Sequence, residues 1–252
     1  MAETPSKPKY LNPFVVDEPV REPTVDDGVD WYLPDEFGRR PAIVFVHGGP
    51  VRPEATPKEW PVYRGYGSMA ARLGLVGVAF NHPFHDIERM ADAGAEVERV
   101  LGLVRQHERV DPDRIGLWAF SGAGLFAGRF VDHPPEWLRA VALTYPDCRR
   151  DDDPDWPTTL AEAVEHSSDV PILLTRVGRE QPDLAEAVEE LVEAARGAAA
   201  NLTLIDVPQG DHGFDHAEPT DEARAAVERA MAWMSSTLTT HADLSQGRTP
   251  SK

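Results

Sequence analysis

Short apolar runs and longer amphipathic stretches alternate along this chain. The runs are AIVFVH (42–47), LVGVAFNH (75–82), RIGLWAF (114–120), LRAVALTYP (138–146), PILLTRVG (171–178) and LTLIDVP (202–208). Most are apolar at nearly every position. A strand with one wet face alternates, whereas a continuous run fits a strand covered on both faces, as in a parallel sheet. Helical spacing fills the gaps, at about 64–73, 86–108, 122–132, 183–198 and 219–238. In the second of these, Ile87, Met90, Val97, Leu101 and Val104 share one apolar stripe. The last opens on Thr220 as N-cap, with acidic residues in its first turn.

Strands and helices in this order predict a doubly wound, mostly parallel α/β sheet with helices on both faces. Two weaker runs, PFVVD (13–17) and DWYLP (30–34), are expected to form an antiparallel edge. The stretch 147–169 breaks the alternation with charges and prolines. It reads as a short excursion over one end of the sheet, a small lid. One domain is expected over 14–240, between a flexible N-terminal tail (1–13) and a flexible C-terminal tail (241–252).

Composition narrows the partners. The 252 residues carry a formal net charge of −18, which disfavours phosphate backbones and anionic lipid. No apolar stretch approaches the roughly 20 residues that span a bilayer. The N-terminal residues hold no secretory h-region, so a cytoplasmic protein is expected. Cys148 is the single cysteine, which excludes an intrachain disulfide and a cysteine-based structural zinc site. The expected partner is a small molecule, with no nucleic acid and no membrane; a homodimer is left open.

In open α/β sheets, ligands bind beyond the carboxyl ends of the strands. There the chain places His47-Gly48-Gly49-Pro50, then Ser121-Gly122, then Gly178-Arg179-Glu180, then PQGDHGFDH with His212. Serine, acid and histidine follow one another in that order. Read alone, Ser121 could equally cap a helix.

The four segments HGGP, AFSGAG, VGRE and GDHGFD resemble the α/β-hydrolase superfamily, and within it the dienelactone-hydrolase-like serine esterases. The resemblance spans roughly residues 40–238. It implies an α/β-hydrolase fold and an acyl-enzyme mechanism on a carboxylic ester, lactone or thioester, with no metal or organic cofactor. Ser121 would be the nucleophile and His212 the base. His216 is the competing histidine. Glu180 would be the acid, with Asp183 and Asp147 as rivals. Gly122 and Gly49 would donate to the oxyanion.

The sequence departs from G-x-S-x-G, because Ala119 and Ala123 flank the serine. Both are small enough for the turn, and Gly124 lets the following helix approach the strand. Dienelactone hydrolases carry a cysteine where this chain has Ser121.

Substrate contacts are expected from Tyr63, Arg64, Phe84 and Tyr145, with Arg52, Trp60 and Trp156 as further wall residues. An arginine there would favour a carboxylate-bearing ester or lactone. His47 is expected to brace the oxyanion loop, and His82 and His85 to shape the wall. His107, His133, His166 and His241 are expected at the surface. The pair in NHPFHD lacks the further ligands a metal needs. Acyl transfer, cyclisation or ligand binding without catalysis remain alternatives on the same scaffold.

Overall fold

The structure is a computed structural model that describes residues 8–149, 158–166, 170–217 and 219–240. Eight strands form one sheet: β1 (Thr24–Asp26), β2 (Val29–Tyr32), β3 (Arg40–Val46), β4 (Val76–Ala79), β5 (Val110–Phe120), β6 (Leu138–Thr144), β7 (Ile172–Arg179) and β8 (Leu202–Asp211). Their spatial order is β1-β2-β4-β3-β5-β6-β7-β8. From β4 through β8 neighbouring strands run parallel, while β2 is antiparallel to both β1 and β4.

The helices are α1 (Pro61–Arg72), α2 (Met90–Gln106), α3 (Gly124–Asp132), α4 (Leu160–His166), α5 (Pro182–Gly197), α6 (Phe214–Ala217) and α7 (Asp221–Thr240). They cover both faces. Ala42, Val44 and Val46 of β3 pack with α2 to α5, whereas Ile43 and Phe45 pack with α1 and α7. On β5, Leu117 and Ala119 face the first layer, and Trp118 and Phe120 the second. Period-two side chains buried on both sides explain why the runs read as continuously apolar.

Several expectations are corrected. PFVVD is not a strand. Its Val15 N–H donates to the Asp215 carbonyl at 3.1 Å rather than to a neighbouring strand, and the chain from Phe14 to Arg21 lies along α1 instead. The Phe14 ring sits 4.9 Å from Tyr66, Arg21 N–H donates to Ser68 Oγ at 2.9 Å, and Glu18 pairs with Arg72 at 3.0 Å. Residues 8–13, expected in a flexible tail, also pack: Tyr10 stacks on Trp60 at 4.2 Å, and Asn12 donates to the Ala217 carbonyl.

The antiparallel edge is a hairpin of β1 and β2, turning at Asp27 (φ 48°) and Gly28 (φ 79°). Asp-Gly is the sequence signal for such a turn. Ile87 leaves the expected stripe, because a 3-10 turn at Ile87–Arg89 precedes α2 and leaves it 45% exposed. His107 is not a bare surface residue, since it stacks on Trp31 at 4.1 Å. Of the expected excursion, α4 is described, while 150–157 and 167–169 lie outside the described residues, with Trp156, His241 and the 241–252 tail. Thr220 caps α7 as expected, its Oγ1 accepting from Ala223 N–H at 3.1 Å.

Candidate active site

Ser121 follows the last residue of β5 and has φ +49°, a left-handed backbone that L-residues avoid. A 3-10 turn at Ser121–Ala123 leads into α3. Ala119 and Ala123 are buried on either side of it. A Cβ on Gly122 would overlap the carbonyl oxygen of Gly49, so these two residues meet backbone to backbone. Gly124 serves a different neighbour from the one expected. A Cβ there would overlap the Asp147 carbonyl, so the close approach is to the chain after β6 rather than to the strand.

His212 Nε2 stands 2.7 Å from Ser121 Oγ, and His212 Nδ1 stands 2.7 Å from Glu180 Oε2. The pairing of β7 with β8 brings this about. Val177 pairs with Val207 and Arg179 with Asp211, so β8 carries extra residues at 208–210. Pairing then resumes, and Glu180 and His212 leave adjacent strand ends together. The rival acids are occupied elsewhere. Arg149 holds Asp147 through Nε and Nη2, at 2.9 and 2.7 Å, and Asp183 through Nη1 at 2.7 Å. His216 turns to Asp215 Oδ1 at 3.1 Å, away from Ser121.

The Gly48 N–H donates to Tyr63 Oη at 3.3 Å. That leaves Gly49 N–H, with no acceptor among the described residues, facing Gly122. Gly122 lies in the first turn after β5, where helical N–H groups have no intrahelical partner.

Two buried histidines brace this loop. Their rings stack at 3.6 Å. His47 Nε2 accepts from the His82 backbone N–H at 3.2 Å, which places the proton on Nδ1, donating to the Gly48 carbonyl at 2.6 Å. His82 Nε2–H donates to the His47 carbonyl at 2.9 Å. His85 pairs its Nδ1 with the Val51 carbonyl at 3.1 Å.

Burial pushes the His82 imidazole down to about 4. Burial, with facing His82, holds His47 well below its ordinary range. Unfolded histidines protonate near 6.5. As pH falls from about 6.5 to about 4, the unfolded chain therefore takes up protons that the fold refuses. This contribution to stability is full above about pH 6.5 and falls by about 1.4 kcal/mol per unit for each histidine. Urea unfolding at pH 7 and pH 5 should register the loss, and His82→Gln should shrink it. An equal loss in both proteins would refute the assignment.

The expected substrate contacts divide. Phe84 is buried directly under Gly49, where a Cβ on that glycine would overlap its ring. Tyr63 lies under Gly48 and packs edge-on to Phe120 at 5.4 Å. Tyr145 places its ring 4.8 Å from the His212 ring. Arg64 is not brought to the site, because it pairs with Glu22 at 2.6 Å on the outer side of α1. Arg52 and Trp60 line a cleft of about 630 Å³ together with Pro50, Tyr10 and Leu11, and neither Ser121 nor His212 is among its lining residues. Four features had no expectation in the sequence: the Arg149 clamp, the N-terminal wall, Tyr66 and the buried Asp215. Among the described residues, no helix is long and apolar enough to cross a membrane, and no cluster of three metal-ligating side chains occurs.

No protein-family model matches the chain, and no curated protein matches it. Solved structures do. Esterase B of Lactobacillus rhamnosis, inhibited by a tributyrin phosphonate, is similar at 13% identity over 92% of each chain, with a TM-score of 0.69. The propionate-bound esterase 2 of Thermogutta terrifontis is similar at 21% identity over 94% of this chain and 98% of its own, with a TM-score of 0.64. A Klebsiella pneumoniae protein assigned as a dienelactone hydrolase is similar at 19% identity over 80% of this chain and 90% of its own, with a TM-score of 0.65. At these identities the likeness is one of fold, and the fold is that of the α/β-hydrolases.

Proposed function

We propose that this α/β-hydrolase-fold protein is a serine hydrolase that cleaves a carboxylic ester, lactone or thioester of a small molecule. One observation carries the reading. Glu180, His212 and Ser121 are joined by two hydrogen bonds of 2.7 Å that end on a serine with left-handed backbone.

His212 Nε2 takes the proton of Ser121 Oγ as that oxygen attacks the carbonyl carbon. Glu180 holds the other imidazole N–H and stabilises the imidazolium. The negative charge develops on the former carbonyl oxygen, toward the N–H groups of Gly122 and Gly49. The intermediate collapses to an acyl-enzyme, and His212 gives its proton to the leaving group. Water, deprotonated by the same histidine, then releases the acid. No step needs a metal or an organic cofactor. Propionate and butyrate bind the Thermogutta terrifontis esterase, and paraoxon phosphorylates it, which adds support by analogy of fold.

A fluorophosphonate probe is expected to label one residue per chain at neutral pH, identified as Ser121 by peptide mass spectrometry. Absence of labelling on folded protein would refute the reading. A panel of aryl esters, lactones and thioesters, assayed with and without added alcohol, separates hydrolysis from acyl transfer.

A further inference from the structure

The Glu180–His212–Ser121 chain leaves a second carboxylate unused. Asp215 lies three residues beyond His212 and is fully buried. Burying a carboxylate is costly unless its oxygens are satisfied. Three donors from three places do so here. Tyr145, just past β6, donates its hydroxyl to Oδ1 at 2.7 Å. Tyr66 of α1 donates to Oδ2 at 3.0 Å. His216 Nδ1 stands 3.1 Å from Oδ1. The Asp215 carbonyl also accepts Val15 N–H at 3.1 Å, from the segment that lies along α1.

Tyr145 links this cluster to the catalytic base. Its ring stands 4.8 Å from the His212 ring, with 54° between the planes. The far end of that ring is the hydroxyl held by Asp215. Tyr145 is itself in a left-handed backbone, φ +38°, with its N–H donating to the Thr175 carbonyl at 2.8 Å. Phe214 meets the Tyr145 ring edge-on at 5.8 Å. Both imidazole nitrogens of His212 are fixed by hydrogen bonds, but those bonds leave the ring free to rock about the line joining them. The Tyr145 ring, tilted against the imidazole at 4.8 Å and held at its hydroxyl, limits that rocking. An aliphatic group in place of Asp215 would leave two buried tyrosine hydroxyls without their acceptor and the Tyr145 ring unanchored.

The geometry points to Asp215 as a positioning residue, which acts through Tyr145 to hold the His212 imidazole in line with Ser121. This inference rests on the serine-hydrolase reading, and its test includes a readout that needs no turnover. Asp215→Asn leaves the Tyr145 hydroxyl an acceptor on one oxygen but offers Tyr66 an amide donor. Tyr145→Phe keeps the ring and removes only its anchor.

With an ester substrate, Tyr145→Phe is expected to lower kcat about tenfold and Asp215→Asn, which keeps an acceptor for the tyrosine hydroxyl, about threefold. KM should stay within about twofold in both, because Asp215 is fully buried and Tyr145→Phe keeps the ring and loses only a hydroxyl that points to Asp215. In proton NMR, the low-field resonance of the His212 Nδ1–H, bonded to Glu180, should broaden or move upfield in both variants. If Asp215→Asn fails to fold, Tyr145→Phe decides alone. Unchanged kcat and an unchanged low-field resonance, even with a lowered melting temperature, would overturn the inference and leave a purely structural cluster. If the wild-type protein neither turns over esters nor reacts with the fluorophosphonate, the serine-hydrolase reading has failed, and the resonance still tests the positioning.

Discussion

Ser121→Gly and Ser121→Ala are expected to abolish ester turnover alike, by roughly 10⁶-fold in kcat, yet to differ in stability against the usual order. Alanine normally stabilises relative to glycine by about 0.5–1 kcal/mol, because glycine loses more freedom on folding. At Ser121 the backbone has φ +49°. There any side chain with a Cβ carries a strain of roughly 1–2 kcal/mol that glycine does not. Both variants lose the same hydrogen bond to His212, so that contribution cancels. The glycine protein should therefore melt about 1–4 °C above the alanine protein. Differential scanning calorimetry measures this directly. A lower melting temperature for Ser121→Gly would mean that the turn stores no strain.

The second large effect is expected at Glu180. Glu180 Oε1 accepts the Gln181 backbone N–H at 2.8 Å, while Oε2 faces His212 Nδ1. A glutamine that keeps its oxygen on Gln181 must turn its amide nitrogen toward Nδ1. That nitrogen can only donate, so the imidazole proton moves to Nε2. His212 can then no longer accept the proton of Ser121. Glu180→Gln should therefore lower kcat by about 10³–10⁴-fold with KM little changed, the cost of a wrong tautomer rather than of a lost contact. Asp147→Ala and Asp183→Ala should each stay within about threefold, since both carboxylates go to Arg149. A collapse of kcat in either of these, with Glu180→Gln active, would move the acid elsewhere.

Much of this site was legible in the sequence, for local reasons. The serine declared itself through small neighbours, because a sharp turn excludes side chains there whatever the distant partners are. The helix cap at Thr220 and the apolar faces of the long helices are likewise set by residues within a few positions. Arg64 shows the opposite case. Its type suited a substrate carboxylate, but its place on α1 puts it against Glu22, and side-chain direction on a helix follows from how that helix is docked. The edge hairpin carried its Asp27-Gly28 signal in the sequence, while three exposed residues in β1 gave no apolar run to notice.

By itself the sequence determined the layers of the fold, the order of the strands in the chain and the strand ends from which serine, acid and histidine emerge. Strands buried on both faces need apolar residues at nearly every position, so that information is written residue by residue. Only the tertiary structure decided which carboxylate meets His212, and that Asp215 stands behind Tyr145. Glu180 and His212 lie 32 residues apart. Their meeting depends on the register of β7 against β8 and on the extra residues at 208–210. A register is a relation between two segments, and no periodicity within either one encodes it.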